Sequence, residues 1–250
     1  MRSFIFAKRN IKEIVRDPIS YIFLLAFPII MLFVMSIINS SIPAEAQVDT
    51  FKIENLAVGI CIFGFTFDML FAALHISADR NTAFLARLYS TPMNTADFLL
   101  GYSIPLLITA ILQCIIVFAL ASLPFISGDS ALSFSNVPLT ILALIPSAIF
   151  YIGLGTVFGS LFNNKSAPPI ASIIITLSGM FGGIWMDIEM LGSTLTSICK
   201  SLPFYRTVEV GRATLNGRYS DIPASMIFVV ISAIITVSLS IIAFNKSRKK

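Results

Sequence analysis

Runs of about 20 almost entirely apolar residues recur along the whole of this chain, and no other feature restricts its fold so tightly. A helix of about that length crosses the hydrocarbon core of a bilayer, where every backbone N–H and C=O must find its partner within the protein. The fold class that follows is all-α and membrane-integral, with six transmembrane helices expected over about 18–38, 55–77, 98–123, 137–162, 168–185 and 224–244. Because the runs recur down the whole chain, one membrane domain accounts for nearly all of the 250 residues, leaving little chain for a soluble catalytic domain. Only 12% of the residues are charged, against roughly 25% in soluble domains, which agrees with lipid as the main solvent.

The first 17 residues read differently. In SFIFAKRNIKEIVR, Phe4, Ile11, Ile14 and Val15 fall on one helical face and Arg9, Lys12, Glu13 and Arg16 on the other, as in a helix lying in the membrane interface. Asp17 and Pro18 then suit the N-cap and first position of the first span. Residues 1–17 are thus one interfacial element and 18–250 one six-span domain. A cleaved signal peptide, suggested by Ala44-Glu45-Ala46, would need a shorter hydrophobic stretch of about 7–15 residues. Six spans place both termini on one side, and that side holds twelve of the 17 Lys and Arg, which makes it cytoplasmic. The same clustering at membrane edges accounts for the net charge of +4 without a nucleic-acid partner. The stretch 186–223 is too long for a plain loop and has short apolar runs of its own, so short helices, partly re-entrant, are expected there before the sixth span.

Catalytic chemistry is scarce. Gly159 to Ser166 resembles a phosphate-binding loop, but Asn164 stands where the second glycine belongs and a membrane helix precedes it in place of a strand. The single histidine, His75, cannot supply a two-histidine metal site, and no G-x-S-x-G exists to complete a serine triad. Cys61, Cys114 and Cys199 are widely spaced and form neither a disulfide framework nor a zinc motif. The chain reads as a non-enzyme with no cofactor or metal of its own.

Asp68 is the carboxylate well inside a span, where it costs about 2.5–3.5 kcal/mol on the insertion scale. It either lines a substrate path or pairs with a hydroxyl on a neighbouring helix. Gly155 and Gly159, and Gly179 and Gly183, are small-xxx-small pairs for close helix approach, within the chain or at a subunit interface.

Between spans two and three lies ADRNTAFLARLYSTPMNTADFLLGY, residues 78–102. Arg80, Phe84, Arg87 and Leu88 share a stripe of a cytoplasmic helix that must stop before Pro92. A partly apolar helix pinned between two spans suits docking better than a solvated connector, which would leave Phe84, Leu85 and Leu88 exposed. Here the chain resembles the ABC type-2 permease family, the membrane subunits of exporters powered by an ATP-binding cassette. Asp79, Arg80, Leu88, Thr91, Pro92 and Gly101 match its acidic-Arg, Leu, Thr-Pro and Gly pattern, with Ala83 where a glycine is usual and Asn81 and Thr82 where acidic residues are usual. Pro203, Glu209 and Arg212 resemble its Pro-then-Arg segment before the last span, although Met186 to Met190 lacks the customary prolines.

The resemblance implies a coupling helix carrying Asp79, Arg80, Phe84, Leu85, Arg87, Leu88 and Pro92. It also implies a separate nucleotide-binding ATPase subunit holding ATP and Mg, and a second permease subunit in a homodimer or heterodimer. The expected location is the plasma membrane of a bacterial cell. The expected cargo is amphipathic or hydrophobic, a drug, lipid, glycan or peptide, exported in the manner of multidrug efflux and antibiotic resistance. An ion-coupled secondary transporter or channel using Asp68 is the alternative reading.

Overall fold

A computed structural model describes residues 2–42, 49–80, 82, 93–123, 126 and 134–248. The described residues are helical almost throughout: α1 (Arg2–Arg16), α2 (Pro18–Ser41), α3 (Ile53–Arg80), α4 (Thr95–Ala121), α5 (Val137–Leu161), α6 (Ala167–Phe181), α7 (Ser193–Ser201), α8 (Pro203–Leu215) and α9 (Ile222–Arg248). Five of these, α2, α3, α4, α5 and α9, are long and apolar enough to cross a membrane. The fifth expected span, over about 168–185, forms a helix shorter than its apolar run. Helix α6 ends at Phe181, where Gly182 and Gly183 turn the chain with Gly183 at φ +70, so its 15 residues reach only about 22 Å of the roughly 30 Å needed.

Local chemistry accounts for the helix ends. Asp17 accepts from the backbone of Ile19 and Ser20 and from the Ser20 hydroxyl at 2.7 Å, which holds its carboxyl below the ordinary range and starts α2 at Pro18. Asn94 and Asp97 form a capping box that opens α4.

Burial ranks the helices. In α3, 89% of the apolar window is enclosed, against 17% in α2 and 33% in α9, so α3 is the central post and the other two are peripheral. Helix α5 packs along α3 on one side and α9 on the other. The seam between α3 and α5 depends on two glycines. A Cβ on Gly155 would lie 2.1 Å from the Met69 carbonyl oxygen, and one on Gly159 would lie 2.8 Å from that of Ala73. Both glycines therefore serve contact within the chain. Gly183, past the end of α6, forms no helical pair with Gly179, which instead abuts Trp185.

This seam gives a graded test. Gly155→Ala meets backbone that cannot step aside, an overpacking cost of about 1–3 kcal/mol that exceeds alanine's helix-propensity advantage of about 1 kcal/mol. Gly59→Ala meets at nearest the Ile184 Cγ2 at 3.2 Å, a far smaller overlap than at Gly155. Thermal unfolding in detergent should show a lower melting temperature for Gly155→Ala and little or no loss for Gly59→Ala. Equal shifts would contradict the assignment of the seam.

Candidate functional site

Three polar centres interrupt the apolar bundle. The first lies at mid-helix. Asp68 is fully buried in α3, about 2 Å along the axis from the helix midpoint. Thr109 of α4 brings its hydroxyl 3.0 Å from Asp68 Oδ1, but the same hydroxyl is 2.8 Å from the Leu106 carbonyl and has one proton for the two acceptors. Asp68 Oδ2 has no partner among the described residues. Nearer the other end of α4, Gln113 Nε2 donates to the Cys61 carbonyl across the same interface at 3.2 Å. Gly64 makes this possible, since its Cβ would lie 1.7 Å from that nitrogen. Gln113 was visible in the sequence as a lone amide in an apolar run, and its pairing with Gly64 was not.

The second centre gathers both ends of the chain. Phe6 of α1 sits edge-on to Phe98 and Tyr102 of α4, at 5.8 and 4.9 Å between centroids, in space left by Gly101. Phe98 also meets Phe244 of α9 at 5.5 Å. The side of α1 turned to the bundle is therefore Phe6, Ala7, Asn10 and Ile14, whereas Phe4, Ile5 and Val15 stay exposed beside Lys8, Lys12 and Arg16. Asp79 and Arg80 form the last turn of α3 and do not begin a separate helix. Asp79 Oδ2 accepts from Arg9 Nη1 at 2.9 Å and from the Tyr102 hydroxyl at 2.7 Å, tying α3 to α1 and α4. Arg80 Nη1 reaches the carbonyls of Gly159, Ser160 and Phe162 at 3.0, 2.5 and 3.3 Å, a cation on the negative end of α5. The stretch that looked like a phosphate loop is thus the carbonyl end of a helix, the wrong polarity for phosphate. Phe84, Leu85, Arg87, Leu88 and Pro92 lie outside the described residues.

The third centre is at the opposite end, where α8 packs against α3, α5 and α9. Pro203 opens α8. Glu209 pairs with Arg206 at 2.8 Å and accepts from the Ser225 hydroxyl at 2.5 Å, joining α8 to the start of α9. Arg212 Nε donates to the Asn55 carbonyl at 3.2 Å, and burial pulls its guanidinium down to about 10. Between α4, α5 and α9 lies an apolar groove of about 350 Å³, lined by Leu107, Ile152 and Val237 with Ser103, Thr156 and Ser240 as its polar points.

Comparison with known proteins converges on one group. The family model described as "ABC-2 family transporter protein" matches residues 47–242. The chain is also 22% identical over 197 residues to the "Putative transport permease YvfS" of Bacillus subtilis (strain 168), an alignment that covers 78% of each protein.

Proposed function

Since the chain belongs to the ABC-2 family of transporter proteins, we propose that it is the permease subunit of an exporter whose ATP and Mg sit on a separate nucleotide-binding subunit. Two permeases and two such ATPases make the working unit, in a cell membrane with both permease termini cytoplasmic. Helix α6 and the segment that follows it supply the fifth of six crossings, and α7 and α8 are re-entrant from the outer face. The cargo is amphipathic or hydrophobic, which the apolar groove with its three hydroxyl points supports.

One observation carries the coupling role. In the sequence, residues 81–92 join Asp79 and Arg80, which are bonded to α1, α4 and α5, to the capped start of α4. A push on that segment by a cytoplasmic partner is delivered to four helices at once. The segment's Phe84, Leu85, Arg87 and Leu88 are the anchors, with Pro92 closing it before α4.

Co-expression with an adjacent-gene ATPase tests this. The purified pair should hydrolyse ATP at a rate that the permease's cargo alters, and the permease alone should not hydrolyse it. Failure of any ATP-binding cassette subunit to co-purify, or hydrolysis by the permease alone, would overturn the proposal.

A further inference from the structure

Helix α1 has two sides of opposite character. At about 100° per residue, Ser3, Phe6, Ala7, Asn10 and Ile14 share one arc of the helix, and all of them are buried. Hydrogen bonds fix that side to the bundle: Asn10 Nδ2 donates to the Gly101 carbonyl at 2.9 Å, and Arg9 reaches Asp79 at 2.9 Å. The outer side is therefore held in one orientation. On it, within an arc of about 120°, lie Phe4, Ile5, Lys8, Lys12, Val15 and Arg16, all exposed.

Charge on this outer side does not cancel. An open hollow of about 710 Å³ beside it is lined by Lys8, Arg9, Lys12 and Arg16 against Glu13 and Asp17. Both acids are engaged, Glu13 with Arg9 at 3.1 Å and Asp17 with the backbone N–H groups of Ile19 and Ser20 at 3.2 Å. Lys8, Lys12 and Arg16 have no ion-pair partner among the described residues. Spaced four apart, they form one row along the helix, with Phe4, Ile5 and Val15 beside it.

What covers this row follows from where α1 ends. Asp17 alone separates Arg16 from Pro18, the first residue of α2, which is long and apolar enough to cross a membrane. The row thus lies where hydrocarbon gives way to headgroups. Phe4, Ile5 and Val15 can enter the acyl boundary, while the Lys and Arg stems lie along it and carry their charges to headgroup level.

We propose that Lys8, Lys12 and Arg16 form a binding surface for anionic phospholipid headgroups and select them over zwitterionic ones. Residence in the interface asks only for the apolar residues, whereas an uncompensated cationic row adds attraction to negatively charged lipid. Through Asn10 and Arg9 the lipids so held border the ends of α3 and α4 on either side of residues 81–92.

Cys61, Cys114 and Cys199 are all buried, so a maleimide fluorophore on Ile5→Cys, at a position 73% exposed, reports on the outer side of α1. The labelled full-length protein in neutral maltoside micelles is titrated with phosphatidylglycerol and, separately, with phosphatidylcholine. Phosphatidylglycerol should shift the emission to the blue at a midpoint at least about tenfold lower, since each cation near an anionic surface is worth about fivefold in affinity. Lys8→Gln, Lys12→Gln and Arg16→Gln together should raise that midpoint at least about tenfold and leave the phosphatidylcholine midpoint in place. In about 1 M salt, where charges are screened beyond about 3 Å, the preference of the unsubstituted row should largely vanish. Equal midpoints for the two lipids with the row intact, an unchanged phosphatidylglycerol midpoint in the triple variant, or a preference indifferent to salt overturns the proposal. Equal midpoints together with loss of a co-purifying ATPase in the triple variant would assign the row to a protein partner and overturn it as well. Should the triple variant fold poorly, the salt titration decides, because it leaves the row unsubstituted. Only lipid binding is read, so failure here is distinct from a failure of coupling to ATP.

Discussion

A permease carrying Phe84→Ala together with Leu88→Ala is expected to insert normally and to lose its ATPase. On the proposed function the motive force enters from the cytoplasmic side with ATP, since the phosphate-loop look-alike in this chain is a helix C-terminus capped by Arg80. Of the segments that the proposed topology puts on the cytoplasmic side with apolar side chains to offer, α1 already spends Phe6, Ala7 and Ile14 on the bundle. That leaves residues 81–92, whose Phe84 and Leu88 are spaced as neighbours on one helical face and suit a helix-in-groove contact. Truncating an interface anchor costs about 2 kcal/mol or more, so two together should weaken the complex by roughly a thousandfold if they act additively. Co-purification should fail, or hydrolysis should continue without export. Arg87→Glu should weaken docking further where it meets an acidic groove edge, and a reversed charge on the partner should restore part of it. Export at the parental rate by the double alanine variant would show that the segment only connects two spans.

The other large effect is expected at Asp68, where stability and function should part. Its interaction with Thr109 is worth little, since interhelical hydrogen bonds in membranes average about 0.6 kcal/mol and this hydroxyl is shared with the Leu106 carbonyl. The carboxylate's cost at the helix centre is about 2.5–3.5 kcal/mol, whereas leucine there gains about 0.3–0.6 kcal/mol. Asp68→Leu should therefore insert and melt at least as well as the parent while losing transport, and Asp68→Asn should keep the fold with transport reduced. Reconstituted vesicles loaded with a fluorescent amphiphile would measure transport, and thermal unfolding the stability. A clear loss of stability in Asp68→Leu would make the residue structural, and full transport in both variants would remove it from the path.

How much of this was legible beforehand follows from the range of each interaction. Helix positions were readable because twenty apolar residues in a row specify a span locally, and the bounds of α3, α4 and α5 fall within a few residues of those expected. Asp68 was readable as a misfit in its run. The early stop of α6 was less so, since Ile184 and Trp185 continue the apolar run past Gly182 and Gly183, and hydropathy does not register a turn. The inward roles of Asp79 and Arg80 were hidden because Tyr102 is 23 residues from Asp79, while Arg9 and the carbonyls from Gly159 on are 70 or more residues from their partners. Arg212 looked like part of a short motif, and only the packing of α8 against the first turn of α3 shows that it is buried beside Asn55.

The enclosed position of α3 also sets a timetable for synthesis. Chains grow at about 5–20 residues per second, so Thr109, 41 residues after Asp68, reaches the membrane some 2–8 s behind it. The carbonyls that receive Arg80 begin 79 residues after it and come about 4–16 s behind. During the wait α3 must rest against lipid or the insertion machinery with its polar middle exposed, and α4 is the first helix able to relieve it. A variant that delays α4, by a slow codon cluster or a lengthened linker before Thr95, would therefore expose nascent α3 to membrane quality-control proteases, even though the finished protein would be unchanged in its contacts.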